Sequence, residues 1–283
     1  MMKSPYEDQL NRLAKQQQEL IHIHSLYDYY FPIVIAVDEQ LWIHEYDKEY
    51  QHYQLTRLLS DHIGIPDGCL AAFPLKELNG HMSAVLTPVV FTEMKNTIFL
   101  YHEFVHCYMY EYTRHNIYRN QLALCIRAES EGCIDWEISY DFPYEQPFFV
   151  SKMTVLLKAL RRKDWQEICT IRTELMKCLS EEQRDYWLWL EWNEGYARYI
   201  ENLIRSYYKM EQNNEGSNQP YDRLTFYYSG ELYIRLLIEQ YPEWHEDMDK
   251  IYLYVQEQRQ YVEEEYHARI DSALDTTNHS GRK

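Results

Sequence analysis

The sequence predicts an α+β fold that is mostly helical, with one small sheet in the N-terminal part of the chain. Its 283 residues include only 8 Gly and 9 Pro, so residues that interrupt helices are rare. Most segments repeat apolar side chains at helical spacing. Residues 31–91 differ, because short β-branched runs alternate there with turn signals. A hydrophobic content of 46% supports one large domain or two closely packed lobes.

The net charge and the cysteines indicate which binding partners and which cellular compartment to expect. The formal net charge is -17, which disfavours binding to nucleic acid and to anionic membranes. The N-terminus has no apolar core of a signal peptide, and no stretch is long and apolar enough to cross a bilayer. The six cysteines show no paired CxxC spacing, which is typical of free thiols in a reducing compartment. We therefore expect a cytoplasmic protein without nucleic-acid or membrane partners.

Three regions are expected along the chain. Residues 1–113 are predicted to hold an N-terminal helix, the small sheet and a motif helix. Residues 114–275 are predicted to form a helical lobe, and residues 276–283 a disordered tail.

Residues 1–62 are predicted to begin with a helix over about 6–27, where leucines share one face. A β-branched run at 31–37 predicts a buried strand. A second, amphipathic helix is expected over about 46–62.

Two extended segments are predicted at 71–74 and 82–91, on either side of Asn79-Gly80, a pair typical of hairpin turns. Pro88 lies in the second segment. Because proline cannot donate to a strand ladder, we expect this segment to be an edge strand.

The helical lobe is predicted from apolar periodicity, and its last long helix has a start signal at Ser180, where Gln183 completes a capping box. The predicted helices cover residues 120–140, 148–162, 165–179, 180–208, 222–240 and 245–274.

The pattern His-Glu-x-x-His occupies residues 102–106. No Pro or Gly lies between Met94 and Arg114, so the segment is predicted to be helical. On a helix, His102 and His106 project from one face and can bind one metal ion, while Glu103 can reach a water on that metal. Two histidines can also be satisfied by hydrogen bonds inside a core, so a third ligand is needed to decide.

A second helix offers that ligand. Glu194, Ala197 and Glu201 follow a core-facing stripe, in which a carboxylate is costly unless it is paired or binds a metal. Glu194 can supply the third ligand, and Glu201 can accept a hydrogen bond from the free ring nitrogen of a ligating histidine. Gly195 and Ala197 are small, which favours the close approach of another helix.

These two segments resemble the zinc segments of the gluzincin (peptidase MA-type) metallopeptidases. The match is closest to the aminopeptidase N-like branch, whose second motif reads roughly N-E-G-x-A-x-Y-x-E. The resemblance implies a zincin-like catalytic domain with one Zn²⁺ per chain, bound by His102, His106 and Glu194, with Glu103 as general base. The same branch has a Tyr-x-x-Gly segment whose tyrosine stabilises the oxyanion. Residues 227–230 match it, which implies this role for Tyr227, with Tyr228 as the alternative.

The chain departs from this family pattern in two ways. The spacing from His106 to Glu194 is 194−106 = 88 residues, longer than usual in the branch. An inserted helical block over about 114–179 would explain it. The Gly-x-Met-Glu-Asn segment that binds a free N-terminus in those aminopeptidases is missing, so exopeptidase and endopeptidase action both stay open.

A rival third ligand exists at Glu131, which with Asp135 forms a Glu-x-x-x-Asp pattern similar to thermolysin-like enzymes. Its distance from His106 is 131−106 = 25 residues. If Glu131 were the ligand, Asp135 would orient a histidine in place of Glu201. We prefer Glu194 because more of its neighbours match.

From these residues we expect a zinc metallopeptidase that acts on peptide or protein substrates. A zinc hydrolase of another amide or ester is the alternative within enzymes. A non-catalytic helical interaction protein with a structural or degenerate metal site is the alternative outside them.

Overall fold

The computed structural model describes residues 4–133 and 135–257. Within these residues the chain forms two compact units, the first from 4–117 with 196–214 and the second from the rest. The α+β, mostly helical fold is confirmed, with the sheet confined to the N-terminal part. No helix of the described chain combines the length and the apolar character needed to cross a bilayer.

The first unit holds one small sheet with helices beside it. Its helices are α1 (Glu7–Leu20), α2 (Met94–Tyr112) and the start of α3 (His115–Arg119), whose last two residues belong to the second unit. Its strands are β1 (Ile33–Val37), β2 (Gln40–Asp47), β3 (His52–Ser60), β4 (Leu70–Leu75) and β5 (His81–Leu86). Short 3-10 helices cover Ser25–Asp28, Lys76–Leu78 and Pro88–Phe91.

The sheet is mixed, with the strand order β3-β2-β1-β5-β4. Only the pair β1 and β5 is parallel, with Ile33 opposite Ala84; the other neighbours are antiparallel. Val34 and Val85 are fully buried in a core cluster on one side of this sheet. The predicted strand at 31–37 is therefore confirmed.

The helix predicted over 46–62 is wrong, because this segment belongs to the hairpin of β2 and β3. Asp47 ends β2, and its Oδ1 accepts hydrogen bonds from the backbone N–H groups of Glu49 and Tyr50 at 2.9 and 3.1 Å. This local turn reverses the chain and lets Tyr53 pair with Tyr46 across the hairpin. Turn chemistry at Asp47 therefore decides the structure of the segment against its helical periodicity.

The turn predicted at Asn79-Gly80 is confirmed, since both residues have positive φ angles of 56° and 82°. The edge-strand prediction for 82–91 is wrong. β5 is flanked by β1 and β4 and ends before Pro88, which instead begins a 3-10 helix. The edges of the sheet are β3 and β4, and the proline of β4, Pro74, agrees with an edge position.

The second unit is helical in its described part. Its helices are α4 (Ala123–Ser130), α5 (Trp136–Ser139), α6 (Pro147–Arg162), α7 (Trp165–Cys178), α8 (Glu181–Tyr207), whose last turns belong to the first unit, and α9 (Arg223–Gln240). A 3-10 helix, Pro242–Glu246, and a helix that starts at 248 follow.

Most predicted helices of this unit are confirmed. The helix predicted over 120–140 is interrupted, because Gly132 has a φ angle of 75° between α4 and α5. The capping box at Ser180 and Gln183 is present, with reciprocal hydrogen bonds of 2.9 and 3.3 Å. The end of the helix predicted over 245–274 and the tail predicted at 276–283 lie outside the described residues.

Close contact between α8 and α9 explains the small residue at position 195. A Cβ atom added to Gly195 would lie 2.6 Å from the Cα atom of Gly230, and one added to Gly230 would lie 2.2 Å from the backbone oxygen of Glu191. Only glycine permits this approach, so the expected close helix contact is confirmed for Gly195.

Candidate metal centre

The His-Glu-x-x-His segment lies in the middle of α2, as its sequence predicts. One side of this helix packs on β4 and β5, with Phe104, Val105 and Cys107 buried. His102 and Glu103 are also buried, while His106 is half-buried. The helix therefore places one buried and one half-buried histidine a single turn apart, and only His106 is partly accessible.

The two imidazoles are arranged as a shared metal would require. Their Nε2 atoms are 3.2 Å apart. Two nitrogen ligands about 2.05 Å from a tetrahedral zinc ion would lie about 3.3 Å from each other. The ring of Phe99 stacks on His102 with centroids 4.8 Å apart and planes 7° apart, which holds that imidazole in its orientation.

The other ring nitrogen of His102 faces a buried carboxylate. Nδ1 lies 3.2 Å from Oε2 of Glu201, and both side chains are almost completely buried. A carboxylate at this position favours the tautomer with a proton on Nδ1. The lone pair of Nε2 is then available to a metal, so the contact predicted for Glu201 is present.

Glu201 is itself held by three polar side chains of the first unit. Arg205 Nε and Asn213 Nδ2 donate to its Oε1 at 2.8 and 3.0 Å, and Arg198 Nε lies 3.2 Å from its Oε2. Burial by itself would raise the pKa of Glu201, but the contact with His102 and the nearby Arg198 and Asn213 lower it to about 2. Glu201 therefore stays ionised and fixed in place.

This support for Glu201 was not predicted from the sequence. The spacing of Arg198 and Arg205, three residues before and four residues after the glutamate, was a signal that could have found them. Asn213 comes from the loop after α8, and no local spacing predicts its contact.

Glu194 belongs to the same group of possible ligands as the two histidines. One ligand atom each from His102, His106 and Glu194 lie within 4.8 Å of one another. Glu194 and Glu201 are seven residues, two turns, apart on the continuous helix α8 and so lie on one face. One helix thus supplies both the carboxylate of this group and the carboxylate that faces His102.

The alternative ligand Glu131 is not a member of this group. It follows the end of α4, its side chain is 55% exposed, and it pairs with Nη1 of Arg127 at 2.9 Å. Asp135 is exposed and accepts a weak hydrogen bond from the thiol of Cys133 at 3.5 Å. Both residues are engaged in local surface contacts of the second unit.

Tyr227 and Tyr228 lie in the first half of α9 and are both buried. The guanidinium of Arg223 lies over the ring of Tyr227, 5.3 Å from its centroid. The hydroxyl of Tyr228 accepts a hydrogen bond from Nε of Arg161 at 3.0 Å. Each tyrosine is therefore paired with its own arginine.

The fold and the site together define an α+β protein with a candidate metal centre of two histidines and one carboxylate. Comparison of the chain with protein-family models, with curated proteins and with solved structures finds no match.

Proposed function

We propose that the protein is a zinc-dependent metallopeptidase of the gluzincin type with a zincin-like catalytic fold. His102, His106 and Glu194 would hold one zinc ion per chain, and Glu103 would act as general base. The observation that carries the proposal is the 3.2 Å separation of the two histidine Nε2 atoms, with Glu194 in the same group of ligands. Peptides or proteins are the proposed substrates.

The set of donor atoms fits zinc in a catalytic rather than a structural site. Two imidazoles and one carboxylate are a ligand set of hydrolytic zinc enzymes, and three protein ligands leave a fourth position for water or substrate. Closed structural zinc sites are mostly rich in cysteine. The carboxylate of Glu201 behind His102 supports the same proposal, because carboxylates in this position orient ligating histidines.

When bound, zinc supplies a water of lowered pKa and polarises the scissile carbonyl. Glu103 follows His102 directly on α2, and its buried carboxylate would take the proton of the attacking water and pass it to the leaving amine. Tyr227 would donate a hydrogen bond to the oxyanion. Tyr228 is the alternative donor; its oxygen accepts from Arg161, and its own proton can still be donated.

Two other functions use the same residues differently. A zinc hydrolase of a non-peptide amide or ester would keep the metal and Glu103 and change only the substrate. A non-catalytic interaction protein would have no need of Glu103 beside the metal. Glu103 therefore favours the two hydrolytic functions. The cytoplasmic location and the lack of nucleic-acid partners stay predictions from composition.

Cleavage of a mixed peptide library, read by mass spectrometry, tests the proposal. We expect cleavage by the zinc-loaded protein, loss after chelation and recovery when zinc is returned. Glu103→Gln should retain zinc and lose activity by about 10²- to 10⁴-fold, because the proton acceptor is removed. Cleavage that persists at the wild-type rate in the zinc-loaded Glu103→Gln protein would contradict the proposed mechanism. A zinc-loaded wild-type protein that cleaves test esters but no peptide would favour the alternative hydrolase.

A further inference from the structure

Arg223, the first residue of α9, has a charge that the proposed mechanism does not use. Its guanidinium lies over the ring of Tyr227. Burial alone would lower the pKa of Arg223, but Tyr227 and Glu194 raise it, so the guanidinium stays protonated. The side chain is half-buried, which leaves it accessible to a small group. A fixed cation thus lies beside one proposed ligand and the proposed oxyanion donor.

This arginine differs from others in the second unit because it has no ion pair among the described residues, where no carboxylate oxygen lies within 4.0 Å of it. The arginines of this unit that do pair with glutamate are Arg119, Arg127, Arg162, Arg172 and Arg235. In a chain with 45 acidic and 28 basic residues, a half-buried arginine without a carboxylate is unusual.

The position of Arg223 follows from the packing of α9 on α8. Arg223, Tyr227 and Gly230 are spaced by four and three residues and share one face of α9. Gly230 packs against Gly195, the residue next to Glu194. This contact fixes the face of α9 that carries Arg223 and Tyr227 relative to the part of α8 that carries Glu194.

Arg223 has donors that remain available to an anion. The charge of Glu194 raises its pKa, but no described carboxylate oxygen lies within 4.0 Å of its guanidinium, so it forms no ion pair there. The guanidinium has five donors in a planar fork that matches the two oxygens of a carboxylate.

We propose that Arg223 binds a carboxylate of the peptide substrate and thereby sets the substrate class of the site. This inference rests on the proposed peptidase function. The carboxylate can come from the free C-terminus, which gives cleavage near the end of a peptide, or from an aspartate or glutamate side chain.

Matched peptides test the proposal. One peptide cleaved by the wild-type protein is made in three forms: as the free acid, with a C-terminal amide, and with each acidic side chain replaced by its amide. We measure kcat/KM of wild type, Arg223→Gln, Arg223→Lys and the control Arg162→Gln, which removes an exposed charge of the same unit.

If Arg223 binds the C-terminal carboxylate, Arg223→Gln lowers kcat/KM for the free acid by roughly ten- to hundredfold and leaves the C-terminal amide unchanged. If Arg223 binds an acidic side chain, Arg223→Gln lowers kcat/KM for the free acid and for the C-terminal amide. It then leaves kcat/KM unchanged for the peptide in which that side chain is an amide. Arg223→Lys should retain part of the preference for the carboxylate peptide over its amide. Lysine keeps the positive charge but lacks the planar set of donors of the guanidinium. Arg162→Gln should behave as wild type. Equal losses for all three peptides would overturn the proposal and leave Arg223 a structural role beside Tyr227.

Binding gives a readout that does not depend on turnover. With zinc-loaded Glu103→Gln protein, calorimetry compares two pairs of capped peptides, with and without Arg223→Gln: a C-terminal acid with its amide, and a glutamate peptide with its glutamine form. The proposal expects tighter binding of the acid in at least one pair, and only when Arg223 is present. An acid preference that survives Arg223→Gln, or no acid preference in either pair with Arg223 present, overturns it. If the wild-type protein cleaves no peptide, the peptidase proposal fails, and this binding experiment still decides the role of Arg223.

Discussion

Two buried glutamates of the same helix, Glu191 and Glu201 of α8, differ in the partners that hold them. Glu191 accepts from Arg172 Nη1 at 2.7 Å and from Ser229 Oγ at 2.6 Å. Glu201 is held by Arg198, Arg205 and Asn213, and in addition its Oε2 lies 3.2 Å from Nδ1 of His102.

The two environments share burial and arginine partners, so neither property distinguishes a site from a core. The difference is the histidine. The contacts of Glu191 join α7, α8 and α9, whereas Glu201 also faces a titratable ring whose other nitrogen lies 3.2 Å from a second imidazole. The partner of a buried carboxylate, more than its burial, therefore indicates its role.

The largest effect on stability is expected at Glu191. Glu191→Ala leaves the guanidinium of Arg172 buried without its carboxylate, and we expect a loss of about 3–5 kcal/mol in the free energy of unfolding. Urea denaturation of the metal-free protein measures it. The double variant with Arg172→Met should recover much of the loss, because the uncompensated charge is gone. A single variant as stable as wild type would show that the pair does not support the fold.

Acid should destabilise the metal-free protein through Glu201. The folded-state pKa of Glu201, about 2, lies below the ordinary 4.5. Glu201 therefore adds to the free energy of unfolding above pH 4.5, and this stabilisation is lost as the pH falls towards 2. The shift in pKa corresponds to about 3 kcal/mol of stabilisation. Urea denaturation at several pH values should show this slope in wild type and a shallower one in Glu201→Gln. Equal slopes in the two proteins would contradict the assignment.

Zinc affinity should depend on Glu201 and not on Glu191. Glu201→Gln keeps the shape of the side chain and removes the charge behind His102, so we expect roughly 10- to 100-fold weaker zinc binding. Competition with a coloured chelator measures the affinity. Glu191→Gln is the matched control on the same helix and should bind zinc as wild type does. If both variants lost affinity equally, the contrast between the two glutamates would fail.

The sequence predicts neighbours within one helix better than it predicts the sheet. His102 and His106 share a face of α2, and Glu194 and Glu201 share a face of α8, because neighbours on a helix follow from sequence distance alone. The hairpin at Asp47 was missed because side-chain hydrogen bonds in a turn override periodicity.

Tertiary partners were the other features that the sequence did not reveal. The pair of Arg172 and Glu191 joins two helices over 19 residues, and no local rule predicts it. The central position of β5 was missed for a related reason. Pro88 follows the strand that ends at Leu86, so it does not restrict the pairing of that strand.

Zinc per chain, measured by elemental analysis on protein purified without added metal, shows whether His102, His106 and Glu194 bind the metal. The matched set is wild type, Glu194→Ala and Glu131→Ala, where the last removes the rival ligand. We expect close to one zinc in wild type and in Glu131→Ala, and a large loss in Glu194→Ala. No zinc in wild type, or zinc that is retained in Glu194→Ala and lost in Glu131→Ala, would contradict this expectation.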